Sequence, residues 1–214
     1  MEGYLDKEKM MSYLMTILLI AANVVIFLGL SFIGMTEDSA FLLEHGASYL
    51  PYILYKGEYY RIFTSMFLHF GFDHLMSNMM MLALMGYRLE PAVGKIRFLI
   101  IYLSAGLMGN LISLFQEYMS GECYVSAGAS GAVFGLIGSM LFVAFMNKTG
   151  RYLKKYGYMD LNTRDMCIII GLGIYSGFTS AGIDNAAHLG GLIAGFLFTA
   201  LVTIGQFRKK SDSF

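Results

Sequence analysis

The sequence predicts an all-α, polytopic membrane protein built as a bundle of six transmembrane helices. Three observations carry that expectation. Hydrophobic residues make up 57% of the 214 residues and charged residues 14%, against about 45–50% and about 25% in an ordinary soluble domain. The apolar residues gather in long charge-free runs, each close to the ~20 residues a helix needs to cross ~30 Å of hydrocarbon. Lys and Arg fall almost wholly on one side of an alternating in-and-out path.

The first run, Met11–Thr36, predicts a span over 11–34. It is longer than the apolar region of a signal peptide and lacks an A-x-A cleavage pattern, so it is expected to be retained. An outer loop over 35–60 follows. Its apolar stretch Gly46–Tyr55 is too short to cross and is expected to lie in the interface or re-enter the bilayer. Tyr49, Tyr52, Tyr55, Tyr59 and Tyr60 fit an aromatic belt there. The run Ile62–Tyr87 is interrupted by Asp73. A carboxylate is tolerated near a helix start, where it faces the interface and the positive end of the dipole, so the second span is placed at 72–90. Phe98–Gln116, Cys123–Asn147, Met166–Ile183 and Asn185–Phe207 predict spans over 97–117, 125–147, 165–180 and 185–207. The basic segment Lys148–Arg164 reads as a solvated loop touching anionic headgroups. No repeat or second unit breaks the chain, so 1–214 reads as a single domain.

Thirteen of the fifteen Lys and Arg residues fall on one side of this path, leaving only Lys56 and Arg61 on the other. The positive-inside rule places both termini in the cytoplasm. Composition suggests a bacterial plasma membrane, since no Arg- and Ser-rich transit segment is present. Cys123 then lies near the outer face and Cys167 near the inner one, too far apart to be bridged. A net charge of zero without a basic tract disfavours nucleic acid. Neither CxxC nor HxxxH spacing occurs, so no metal or other cofactor is implied.

The informative residues are polar ones in segments that lipid should keep apolar. Helices two, four and six all enter from outside, and each carries such residues at its outer end: His69, His74 and Asn78; Gly128-Ala129-Ser130-Gly131; and His188. Singly, each has a plain structural reading. Gly131, Gly135 and Gly138 make a small-residue packing face, His188 could bond a carbonyl, and His74 with Asn78, four apart, could be polar glue between helices. Together they place a hydroxyl, an imidazole and an amide at similar depth. At about 1.5 Å per residue, Ser130 lies roughly 8 Å into its run and His188 roughly 5 Å into its own.

Acyl transfer fits that set. A serine needs an adjacent base to become a nucleophile, and His188 can serve Ser130 if helices four and six touch. Gly191 and Gly195 on helix six face the glycines of helix four and would allow close approach. The Ser130 backbone N–H, near a helix N-terminus, and the His74 and Asn78 side chains could stabilise an oxyanion. Asp73 faces away from His74, and Asp184 lies a full turn outside His188. The expectation is therefore a Ser-His dyad without a third member.

The pattern resembles the rhomboid family of intramembrane serine proteases. The resemblance rests on His69-x4-His74-x3-Asn78, Gly128-x-Ser130-Gly131 and Ala187-His188-x2-Gly191-x3-Gly195, in that order within six spans. Gly-x-Ser-Gly alone is weak, and Ala132 rules out the G-x-S-x-G elbow. The resemblance implies Ser130 as nucleophile, His188 as general base and acid, His74 and Asn78 as oxyanion stabilisers, and His69 as a residue that helps hold the attacking water. Phe134 matches an aromatic position packed on the catalytic imidazole, where the family often has tyrosine. Arg61, Gly86, Glu90 and Gly94 match positions that brace the outer loop and the end of helix two.

The implied reaction is hydrolysis of a peptide bond in or beside a transmembrane helix of a single-span membrane-protein substrate, which must locally unwind first. Entry from the bilayer past helix five, Met166–Phe178, is the family's candidate route, with Phe178–Ile183 as the loop above the site. Gly171, Gly173 and Gly177 fit either loose or close packing there. The alternative is a rhomboid-like protein that grips membrane clients without cutting; its usual sign, loss of the serine or histidine, is not seen here.

Overall fold

The computed structural model describes residues 12–148, 164, 168, 171 and 183–208. The described residues are helical apart from loops and one isolated antiparallel bridge, Ser48 to Ser126. In chain order the helices are α1 (Leu14–Ser31), α2 (Ser39–Glu44), α3 (Leu50–Lys56), α4 (Arg61–Thr64) with a 3-10 turn at Ser65–Phe67, α5 (Gly71–Val93), α6 (Lys95–Ser120), α7 (Ser130–Lys148) and α8 (Asn185–Arg208). The predicted fifth span with its gate lies outside the described residues, apart from Ile168, Gly171 and the loop residue Ile183. Cys167, Gly173, Gly177 and the interior of the basic segment 148–164 lie outside them too.

Helices α5, α6 and α7 meet in a core of Leu82, Met85, Leu89, Phe98, Ile101, Tyr102, Leu136, Ile137 and Met140, all essentially without exposure. Helix α1 packs on α5, and α8 packs on α7 and α6. The outward faces are also apolar: Val25, Ile96, Phe115 and Leu201 are each more than 60% exposed. In water such faces would be aggregation-prone patches, whereas lipid solvates them. Leu14–Ser31, Lys95–Ser120 and Asn185–Thr203 are long and apolar enough to cross a membrane, and Ser130–Met146 is apolar but shorter. Helix α5 has the length but carries Asp73, Arg88 and Glu90.

Glu90 is buried because it caps another helix. Its carboxylate accepts the N–H groups of Met15 and Thr16 at 2.9 and 2.8 Å and the Thr16 hydroxyl at 2.7 Å. These are first-turn amides of α1 with no acceptor of their own. Gly86 lets Thr16 come this close, since a Cβ there would collide with the Thr16 side chain.

The outer loop is ordered around Arg61, which is 3% exposed. Its guanidinium donates to the Leu43 and Ala47 carbonyls at 2.6 and 2.9 Å and pairs with Glu58 at 2.5 Å. The pairing holds the Glu58 carboxyl below its usual range. Within the apolar stretch Gly46–Tyr55, α3 sets Leu50 and Ile53 against Leu114 of α6, while Tyr55 stays exposed. The stretch is thus a short two-faced helix docked on α6.

Candidate active site

The segment before α7 departs from the predicted span, which begins at residue 125. Residues 121–129 are not helical, and α7 begins at Ser130. Two tethers explain this. Ser126 exchanges both backbone hydrogen bonds with Ser48, at 2.8 and 2.9 Å, and Gly128 donates its N–H to Ser65 C=O at 2.9 Å. Gly128 has φ +141, a conformation that L side chains rarely adopt, and a Cβ there would come within 2.8 Å of the His74 ring. Ser130 therefore stands at the mouth of its helix, and depth counted along a helix from Cys123 does not apply. The first helical hydrogen bond joins Val133 N–H to Ala129 C=O. The N–H groups of Ser130, Gly131 and Ala132 are left without intrahelical acceptors, beside the positive end of the dipole.

His188 sits one turn into α8. That helix is brought against α7 through facing glycines: a Cβ on Gly191 would strike the Gly131 carbonyl, and one on Gly195 the Gly135 carbonyl. Phe134, one turn after Ser130, stacks on the His188 imidazole with ring centroids 4.2 Å apart and planes 9° from parallel. His188 Nδ1 is buried and has no hydrogen-bond partner among the described residues. No hydrogen bond joins Ser130 to His188 among the described residues, as is common in substrate-free sites, where such bonds tighten on binding. Both residues line one cavity of about 960 Å³, together with His74, Asn78, Gly128, Gly131 and Phe134.

His74 accepts the Phe70 N–H at Nδ1, 3.2 Å away. That bond assigns its proton to Nε2, so Nε2 is a donor. A Cβ built on Gly128 would stand 3.0 Å from His74 Nε2 and 3.7 Å from Ser130 Oγ, so these atoms flank a common point. Asn78 donates one amide hydrogen to the His74 carbonyl at 2.9 Å, leaving a second for the cavity.

His69 is placed differently from the water-holding position implied by resemblance. It is 1% exposed, is not among the cavity-lining residues, and lies edge-on to His74 with ring centroids 5.2 Å apart. Its Nε2 accepts the Ala129 N–H at 3.5 Å, so it braces the loop that delivers Ser130. Burial, and then the neighbouring His74, push its pKa down to about 3. Gly191 likewise serves helix approach and does not line the cavity.

A hydroxyl beside free helix-terminal amides, an imidazole held flat against an aromatic ring, and two further donors form the set that acyl transfer requires. The rhomboid domain model matches residues 56–204, a stretch containing every one of these groups. The chain belongs to the rhomboid family. It is therefore an integral membrane protein, as its apolar helices also indicate. It is 37% identical over 199 residues to "Rhomboid protease GluP" of Bacillus subtilis, covering 91% of this chain and 36% of that protein. It is 34% identical to "Putative rhomboid protease YdcA" of the same organism, covering 72% of each. It is 42% identical to "RHOMBOID-like protein 5" of Arabidopsis thaliana, covering 66% of this chain and 43% of that protein. The match to this rhomboid thus spans 36% of the length of GluP and 43% of that of RHOMBOID-like protein 5.

In this rhomboid the sequence pointed to Asp184 only as a third triad member, excluded by its position a full turn outside His188, and to Ser113 and Ser126 not at all. Asp184 caps α8, its Oδ1 accepting the Ala187 N–H at 2.8 Å, and its Oδ2 accepts the Ser113 and Ser126 hydroxyls at 2.5 and 3.0 Å. An Asp just before a helix is a readable capping signal. Ser113, in the middle of an apolar helix, carries no such signal. Among the described residues no group of three or more His, Cys, Asp or Glu side chains is arranged to hold a metal ion.

Proposed function

We propose that this rhomboid is an intramembrane serine endopeptidase that cuts peptide bonds in or next to the transmembrane helices of single-span membrane proteins. In this reading, the His188 imidazole takes the proton of Ser130 Oγ as the oxygen attacks the carbonyl carbon. The oxyanion is met by the Ser130 N–H, the His74 Nε2–H and the free Asn78 amide hydrogen. His188 then passes its proton to the leaving amine, and water hydrolyses the acyl-enzyme by the same steps in reverse order. The scissile segment must leave its helix first, because its backbone groups are otherwise already paired.

The observation that supports this reading best is the shared cavity, in which Ser130, His188, His74 and Asn78 converge from three helices far apart in sequence. The names of GluP and YdcA as proteases point the same way. The proposed setting is a six-span fold with both termini cytoplasmic and the site opening to the outer side of a bacterial plasma membrane. Reconstituted protein should cleave a single-span substrate, and Ser130→Ala and His188→Ala should each abolish cleavage while remaining folded. Cleavage that survives in Ser130→Ala overturns the mechanism. A wild-type protein that a fluorophosphonate fails to label favours client binding without cutting.

A further inference from the structure

Asp184 joins three elements outside the reacting groups. Its Oδ1 caps α8 through the Ala187 N–H, while Oδ2 receives Ser113 from α6 at 2.5 Å and Ser126 from the loop before α7 at 3.0 Å. A cap needs one acceptor oxygen, and Ser or Asn serves about as well as Asp. The second oxygen therefore does something a cap does not require. Ser126 lies four residues before Ser130, and Asp184 four residues before His188. Each proposed reacting residue is thus tethered, at the same remove, to one carboxylate. Ser126 is itself held to Ser48 by two backbone hydrogen bonds.

This tether acts at the outer ends of α7 and α8, where the reacting residues stand. Where α7 meets α8 the facing residues are glycines, Gly131 with Gly191 and Gly135 with Gly195. Such a contact sets how closely the backbones approach. Deeper along the same interface the Thr199 hydroxyl donates to Ser139 at 2.6 Å and Phe142 meets Phe196 edge-on, so register is held there by side chains. At the helix mouths, next to the proposed reacting residues, the Asp184 carboxylate adds a direct link between the start of α8 and the loop before α7.

We propose that Asp184 is a positioning residue that sets the placement of the His188 imidazole against Ser130 Oγ by tying the start of α8 to the loop that delivers Ser130. The proposal rests on the Ser130–His188 reading above. A misplacement of about 1 Å between reacting groups can cost roughly a hundredfold in rate.

The test measures the second-order rate of fluorophosphonate labelling at Ser130 in the full chain in detergent, alongside its thermal midpoint. Asp184→Ser keeps a cap and loses the bridge. The double variant Ser113→Ala/Ser126→Ala keeps the cap and removes both bridging donors. Asp184→Asn keeps the cap and can donate to both serines, preserving the geometry with reversed polarity. Asp184→Ser and the double serine variant are expected to label roughly ten- to a hundredfold more slowly than wild type. Their midpoints should shift little, and Asp184→Asn should recover most of the rate. Combining Asp184→Ser with the double serine variant should add no further loss, because all remove one bridge. Wild-type labelling in Asp184→Ser, or additive losses in the combination, overturns the proposal. If Asp184→Ser does not fold, the double serine variant decides: slow labelling supports the bridge and wild-type labelling overturns it. A wild-type protein that is not labelled overturns the dyad reading itself, and the positioning role with it.

Discussion

The ring of Phe134 lies flat against the imidazole of His188, centroids 4.2 Å apart and planes 9° from parallel. Because Phe134 follows Ser130 by one turn of the same helix, α7 supplies both the proposed nucleophile and the surface that orients its base. An aromatic pair of this kind is worth about 0.5–1.5 kcal/mol beyond area burial. Phe134→Ala should therefore lower kcat by roughly two- to tenfold with KM little changed, and Phe134→Tyr, which keeps the stack, should stay near wild type. Steady-state cleavage of a single-span substrate checks both.

Asn78 spends one amide hydrogen on the His74 carbonyl and offers the other to the cavity. If that hydrogen meets the oxyanion, Asn78→Ala should cost about 10²–10³ in kcat, the usual effect of losing one such donor. Labelling and cleavage rates should fall together. An unchanged kcat would remove Asn78 from the oxyanion site.

Contact between α7 and α8 depends on the absence of a side chain at Gly191, where a Cβ would strike the Gly131 carbonyl. Gly191→Ala should force the helices apart at a cost of about 1–3 kcal/mol. A lower thermal midpoint and a larger loss of activity than of folded protein are the expected results. The second arises because the separation falls between the proposed reacting residues.

Glu90 holds three donors of α1 in a site 1% exposed. Glu90→Ala strips the acceptor from a buried and a part-buried backbone amide and a buried hydroxyl, and should destabilise the protein by about 3 kcal/mol. A reduced midpoint in mild detergent, with α1 made accessible to protease first, would follow.

His69 gives the fold a pH dependence. Its Nε2 accepts the Ala129 N–H, which only a neutral ring can do, and burial pushes its pKa down to about 3. An exposed histidine titrates near ~6.5. Between these values the unfolded chain takes up a proton that the folded one excludes. Stability is therefore whole above about pH 6.5 and declines as pH falls toward 3. His69→Gln should flatten the decline in midpoints measured from pH 8 to pH 4.

How much of this was legible beforehand depended on the kind of interaction. Local composition announced the apolar helices, the outward lipid-facing surfaces and the odd polar residues within them. The start of α7 was not legible, because Cys123–Ala129 is uncharged and reads as helix. Only its pairing with Ser48 and Ser65 keeps it extended. The resemblance implied that His69 helps hold the attacking water, whereas its ring lies edge-on to His74 and its Nε2 accepts the Ala129 N–H. Asp184 was set aside as too far from His188, since spacing along one helix says nothing of hydroxyls arriving from 58 and 71 residues away.

By itself the sequence determined that this is a helical membrane protein and which polar side chains are out of place in lipid, because transfer energies and helical periodicity act over a few neighbouring residues. Only the tertiary structure decided which of those side chains share the cavity, which brace its walls, and that one carboxylate links the segments bearing Ser130 and His188. Those relations depend on how facing glycines let two helices approach, and on hydrogen bonds between segments whose separation along the chain carries no trace of their contact.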